Sequence, residues 1–300
     1  MKQIIYDIRD LIKATFTKAV DDDIMTQGAA IAFYTIFSVA PLFILIISLS
    51  GIFFSEQMIT EQFRETLNEL VGEEMTLTLI EFASDRSMDQ ASTITSIIAT
   101  GIIIFGATTV INQLKLTLNK IWNVKDVKIN SIWKFLLNRM LSFGMVIIFS
   151  FLLLTSLLAE ALIGLISALF AEIIPGIELD YYLYLSQITT VGFAVIFFTL
   201  IFKILPDVHA RWKDIFVGAI VTTLLFLLGK YLITLFFSAT GIQATYRAAG
   251  TLVIFVIWVY YNIQTILLGA VFTQVYTEKF GGRILPYKFV ELKQMTGIGQ

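Results

Sequence analysis

Lys230 carries the most reactive group in an otherwise apolar stretch: an ammonium inside the run Ile215–Phe237, with Thr223 seven residues before it and Thr234 four after, so that the three share one helical stripe. A lysine at that depth is costly against acyl chains, so it is expected to face a bundle interior or a wet cavity, or to snorkel toward the interface. Facing inward, it would hold an anionic headgroup. Four amides accompany it, Asn112 and Gln113 on one apolar run and Asn262 and Gln264 on another. Tyr34 and the solitary Arg247 of the next connector complete the set. Together they form an expected binding set for an anionic or amphiphilic solute. The plainer alternative is interhelical hydrogen bonding, worth about 0.6 kcal/mol per bond in a bilayer.

No other chemistry is legible. The 300 residues contain no cysteine and one histidine, His209, which excludes a thiolate site and a multi-histidine metal cluster within the chain. Neither a nucleophile–base pair nor a glycine-rich phosphate loop is present, so no catalytic residue, metal or cofactor is expected, and the chain is not expected to be an enzyme. A net charge of −2 lacks the basic footprint of a nucleic-acid binder.

The elements that would position these groups follow from composition. With 57% hydrophobic and 15% charged residues, the chain lies outside globular usage. Six apolar runs predict an all-α, polytopic membrane bundle of six transmembrane helices, beginning near residues 28, 94, 139, 182, 215 and 251. In the first, Gln27, Tyr34, Ser38 and Pro41 fall on one face that should look inward, beside the small pair Gly28 and Ala32. Pro41 should kink or break that helix and serve as its hinge.

Residues 1–23 carry apolar positions at helical spacing among Lys2, Arg9, Lys13 and Lys18, an amphipathic helix suited either to the inner leaflet surface or to packing on the protein's own loops. Residues 24–278 form the membrane domain. Within it, 55–92 is a strongly acidic segment read as a two-helix cap, and 279–300 is a tail expected to be loose at its end. Basic residues gather in alternate connectors, around Lys115 to Arg139 and Lys203 to Lys213, whereas the connector from Glu172 to Asp180 has none. That alternation predicts an N-in, C-in topology with both termini cytoplasmic and the acidic cap outside.

Three passages also carry a resemblance. They are AAIAFYTIFSVAPLFILI (residues 29–46) behind Asp21-Asp22-Asp23, then Phe202-Lys-Ile-Leu-Pro-Asp-Val-His-Ala-Arg-Trp-Lys-Asp, and the stretch from Tyr246 through Trp258-Val-Tyr-Tyr261 to Gly269-Ala270. In this order they resemble the YihY/BrkB family of bacterial inner-membrane proteins, over roughly residues 20 to 278. The resemblance implies a multi-pass protein of the bacterial cytoplasmic membrane. Family labels of ribonuclease, virulence factor and lipid transport coexist, so it implies architecture more firmly than activity. Two positions depart from the pattern: Arg247 stands where glycine commonly follows the tyrosine, and Val271 where glutamate commonly follows Gly-Ala. No role of that glutamate carries over.

A transporter or flippase-like protein for an amphiphilic or anionic solute or lipid is the leading functional expectation, with membrane lipids as partners. The rival is a non-transporting scaffold that organises the envelope. Nuclease chemistry is not expected, because metal-assisted phosphodiester cleavage needs clustered carboxylates or histidines that RNA can reach.

Overall fold

In lipid the backbone must satisfy its own polar groups within each segment, and the apolar runs accordingly fold as helices. The computed structural model describes residues 2–50, 77, 93–126, 131–173, 180–240, 242–282, 284–286 and 290–292. The element order is α1 (Lys2–Asp21), α2 (Ile24–Ser50), α3 (Thr93–Ile121), β1 (Val124–Asp126), α4 (Ser131–Ile173), α5 (Asp180–Ile204), β2 (Val208–His209), α6 (Trp212–Thr240), α7 (Ile242–Phe280), β3 (Leu285–Pro286) and β4 (Val290–Leu292).

Each of the six expected membrane runs is occupied by a helix, α2 to α7. Among the described residues, four stretches are long and apolar enough to cross a bilayer: Asn138–Ser156, Leu185–Ile204, Trp212–Ile233 and Phe255–Phe280, with Ile24–Ser38 a shorter apolar helix. The 43 residues of α4 would span about 64 Å at 1.5 Å per residue, twice a hydrocarbon core of about 30 Å, so its ends must leave the acyl region. The acidic segment 55–92 lies outside the described residues apart from Leu77. A break at Pro41 is not found: α2 is one helix through that position. Proline removes a single donor, and the turns on either side keep their own bonds.

The chain divides into two compact units, one of Met1–Ser38, Thr108–Ser142 and Phe198–Gln300, the other of Val39–Ala107 and Phe143–Phe197. The second unit is the simpler. There α4 and α5 meet through the rings of Phe149 and Phe197, 4.9 Å apart, and Ser150 and Leu154 are buried.

The first unit is organised by the antiparallel α6–α7 hairpin. Gly218 faces Thr273, Thr222 faces Gly269, and Gly229 lies under the ring of Tyr261. Each glycine leaves room for the partner's side chain, so the backbones approach closely. This is the usual way to join helices in a medium that supplies no hydrophobic drive. The hydroxyls of Thr222 and Thr273 donate to Gly218 and Gly269 carbonyls of their own helices, at 2.7 and 2.6 Å, so the seam buries no orphan hydroxyl. Tyr261 donates across the seam to the Leu225 carbonyl at 2.8 Å.

Against α7 packs α1, which buries Leu11, Thr15 and Ala19 and leaves Ile8, Ile12, Phe16 and Val20 as an exposed apolar stripe. Of the two expectations for this helix, packing on the protein itself therefore holds for one face, although the partner is a helix and not a loop. The end of the tail, expected to be loose, lies outside the described residues beyond Leu292. In antiparallel register β4 pairs with β1 and β3 with β2, which ties the tail to the connectors after α3 and α5.

The seam predicts that Gly229→Ala, whose new methyl would meet the Tyr261 ring, destabilises the protein by about 1–3 kcal/mol. Adding Tyr261→Ala should recover part of that loss. Thermal melts of the detergent-solubilised variants check this, and an unchanged melt for Gly229→Ala would refute the packing.

Candidate functional site

Three aspartates in succession cannot extend a helix cheaply, and at Asp21–Asp23 α1 ends and α2 begins. Asp23 adopts a left-handed backbone, φ 53°, a conformation that Asp tolerates better than most residues. Its Oδ1 accepts a 3.0 Å bond from the Thr26 hydroxyl, and its carbonyl accepts one from the Gln27 amide. The turn is braced by a Lys18–Asp22 ion pair at 3.0 Å and by Lys120, whose Nζ donates to the Asp22 carbonyl at 3.0 Å.

One more bond fixes this corner onto the hairpin. Gln264 of α7 donates from Nε2 to the Met25 carbonyl at 3.2 Å, with the Ile24 carbonyl at 3.4 Å. It can reach this backbone because the nearby residue of α2 is Gly28; a Cβ there would collide with the amide. Between the α1–α2 corner and the α6–α7 hairpin a cavity of about 480 Å³ remains. That volume lies within the range of small-molecule sites, about 300–1,000 Å³. Phe16, Val20, Asp23, Tyr260, Tyr261 and Gln264 are among its walls, and the rest are aliphatic apart from Met25 and Thr265. It is not enclosed, since Val20 and Met25 on its rim are 78% and 72% exposed.

Of the expected binding residues whose surroundings are described, Gln264 lines this cavity and the others do not. Lys230 is exposed. The interior position expected for it is corrected, because α7 packs on the stripe containing Gly229, and the next residue points about 100° away. Thr223, on the same stripe as Lys230, is buried and bonded to the Ala219 carbonyl, so that stripe is covered at one level and open at the other. Asn112 and Gln113 are half-buried on α3. Asn262 is also half-buried and donates its amide to the Trp258 carbonyl of its own helix at 2.7 Å. Tyr34 is exposed, in edge contact with Phe33, and not inward as expected. Gly28, Ile31, Ala32 and Ser38 make the buried face, and Tyr34 lies about 120° around the helix from Gly28. Arg247 falls within α7, outside the residues whose side chains are described, and so does Pro41 within α2.

A polar cluster went unread in the sequence. Lys115, expected in a basic headgroup loop, is buried and forms a 3.0 Å ion pair with Asp207 and a 3.1 Å bond to the Asn138 amide oxygen. Asn119 closes a two-bond ring with Asp207: its Nδ2 donates to the carboxylate and its Oδ1 accepts from the Asp207 amide, both at 2.8 Å. The group ties α3, α4 and the connector after α5. The available signal was the Lys115–Asn119 spacing, which places both on one face, together with Leu205-Pro206-Asp207 as a helix stop. Asp207 supplies the opposite charge for this buried ammonium, and breaking such a pair costs about 3–5 kcal/mol. Asp207→Ala should therefore lower the melting temperature more than Lys115→Met, which removes the charge and keeps the stem. The reverse order would refute the pairing.

Comparison with known proteins is consistent with this architecture. A family profile described as virulence factor BrkB matches residues 15–288. A UPF0761 membrane protein of Idiomarina loihiensis is 28% identical over 203 residues, 67% of this chain and 66% of the relative. One from Alteromonas mediterranea is 23% identical over 91% of this chain and 90% of its own length, and one from Mannheimia succiniciproducens 26% identical over 92% of each. Against a Pseudomonas aeruginosa relative the chain spans 59% of the other's length. No solved structure matches. A match over nearly the whole chain, joined to a helical fold with several membrane-length apolar helices, places this multi-pass membrane protein in the BrkB family.

Proposed function

We propose that this protein handles amphiphilic molecules of the bilayer, as a transporter or flippase-like carrier for a lipid or lipid-like solute. The observation that supports it is the open apolar cavity between the α1–α2 corner and the α6–α7 hairpin, whose lining is suited to a hydrocarbon chain with a small polar end. Lys230 enters this reading as an exposed cation on α6 that meets anionic groups passing the surface, not as a buried ligand. No catalytic step is assigned. The rival reading, an envelope scaffold that moves nothing, draws on the filled α6–α7 seam.

The same reading sets the protein in the bacterial cytoplasmic membrane with six crossings and both termini inside. It is supported by the tail strands, which pair with the connectors after α3 and α5, both basic. Because the chain has no cysteine, single cysteines report topology without background. Asp126→Cys and Glu291→Cys should react with an impermeant maleimide only after the inner face is opened, and Glu65→Cys in intact cells; labelling of all three from outside would overturn the orientation.

Reconstitution in vesicles with a fluorescent lipid, quenched from outside, tests transport. The protein should speed exchange between leaflets, and Lys230→Met and Lys230→Ala should slow it by about tenfold, the effect of one lost charge-assisted contact. Unchanged rates in both variants remove Lys230 from the mechanism. No acceleration by the wild-type protein favours the scaffold.

A further inference from the structure

We infer that the cavity at the α1–α2 corner selects a primary ammonium, and that its occupant is the ethanolamine headgroup and adjoining chain of a bilayer phospholipid. The inference rests on the cavity reading above and names its ligand. Three aromatic residues, Phe16, Tyr260 and Tyr261, line the space, and Asp23 is the single charged residue among its walls. Rings beside a carboxylate attract a cation on an apolar body, through the negative ring faces and by direct ion pairing. An anionic headgroup would meet no lysine or arginine in this lining and would face Asp23 directly.

The state of each acceptor refines the choice. Asp22 is committed to Lys18. Asp23 spends Oδ1 on Thr26, and its Oδ2 has no hydrogen bond among the described residues. Gln264 spends its amide nitrogen on α2 carbonyls, so what it offers a ligand is its oxygen. Tyr261 spends its proton on Leu225. Apart from the Tyr260 and Thr265 hydroxyls, which can also donate, the polar groups of the walls offer acceptors, and a primary ammonium brings three donors where a trimethylated one brings none. A serine headgroup would add a carboxylate beside Asp23. The open rim at Val20 and Met25 gives the attached chain a way out to the bilayer.

The test uses the full-length protein in nanodiscs of equal parts ethanolamine, choline and glycerol phospholipids with identical chains, with co-retained lipid counted by native mass spectrometry. Ethanolamine lipid should be enriched about tenfold over either of the others, roughly the worth of one charge-assisted hydrogen bond. Asp23→Asn, which keeps a side chain able to accept from Thr26, should abolish the enrichment and leave the total retained lipid unchanged. Val20→Trp fills the rim from an exposed position, where it spares the core, and should lower the total. If enrichment survives Asp23→Asn, or choline lipid is retained equally, the headgroup assignment is overturned while the cavity reading stands. If the total is unchanged in Val20→Trp, the cavity itself holds no lipid and both fall.

Discussion

Two helices that meet in a solvent as apolar as their own side chains gain little by touching unless their backbones come close. The α6–α7 hairpin meets that constraint with a reciprocal pattern, glycine under threonine at Gly218–Thr273 and Gly269–Thr222, continued by Gly229 under Tyr261. Everything described at the cavity depends on it. The seam sets the level of Tyr261, its hydroxyl bond to Leu225 locks the ring, and those two residues form one wall. Shift the hairpin by one turn and the wall and the Gln264 clamp are lost together.

The opposite wall uses a different device. A left-handed aspartate ends α1 and begins α2, while Gly28 lets an amide from α7 reach the backbone that follows. Both contacts are polar and largely exposed, so each contributes about what an ordinary hydrogen bond does, and they set the geometry of the corner more than its stability. The resulting space is bounded by a helix whose second apolar stripe, Ile8, Ile12, Phe16 and Val20, stays uncovered by protein. In a bilayer protein such a stripe would face lipid at no cost, so the packing of α1 on α7 does not require it to be covered.

Charge is handled by the same economy. Lys115 is buried because Asp207 and Asn138 reach it from two other segments, with Asn119 of its own helix holding Asp207. Lys230 has buried Gly229 as its neighbour and is itself exposed. Two lysines in apolar stretches thus have opposite fates, and the buried one is the one on which a carboxylate and an amide from other segments close. The lysine expected in a loop proved to lie buried within α3, and the mid-helix lysine is the exposed one.

The sequence alone determined the medium, the helical class, the places of the helices α2 to α7, and the family, because these follow from hydropathy, from period and from local motifs in order. It also placed Gln264 among the residues worth watching. It did not reveal the cavity or its walls: Phe16 and Asp23 stand more than two hundred residues from Tyr260, Tyr261 and Gln264, and no local spacing links the two groups. Nor did it reveal that Tyr34 turns outward, or that Lys115 meets Asp207 across more than ninety residues. Only tertiary structure decided those, since which stripe of an all-apolar helix is covered depends on where glycines let another helix approach. In lipid, hydrophobicity marks every face alike.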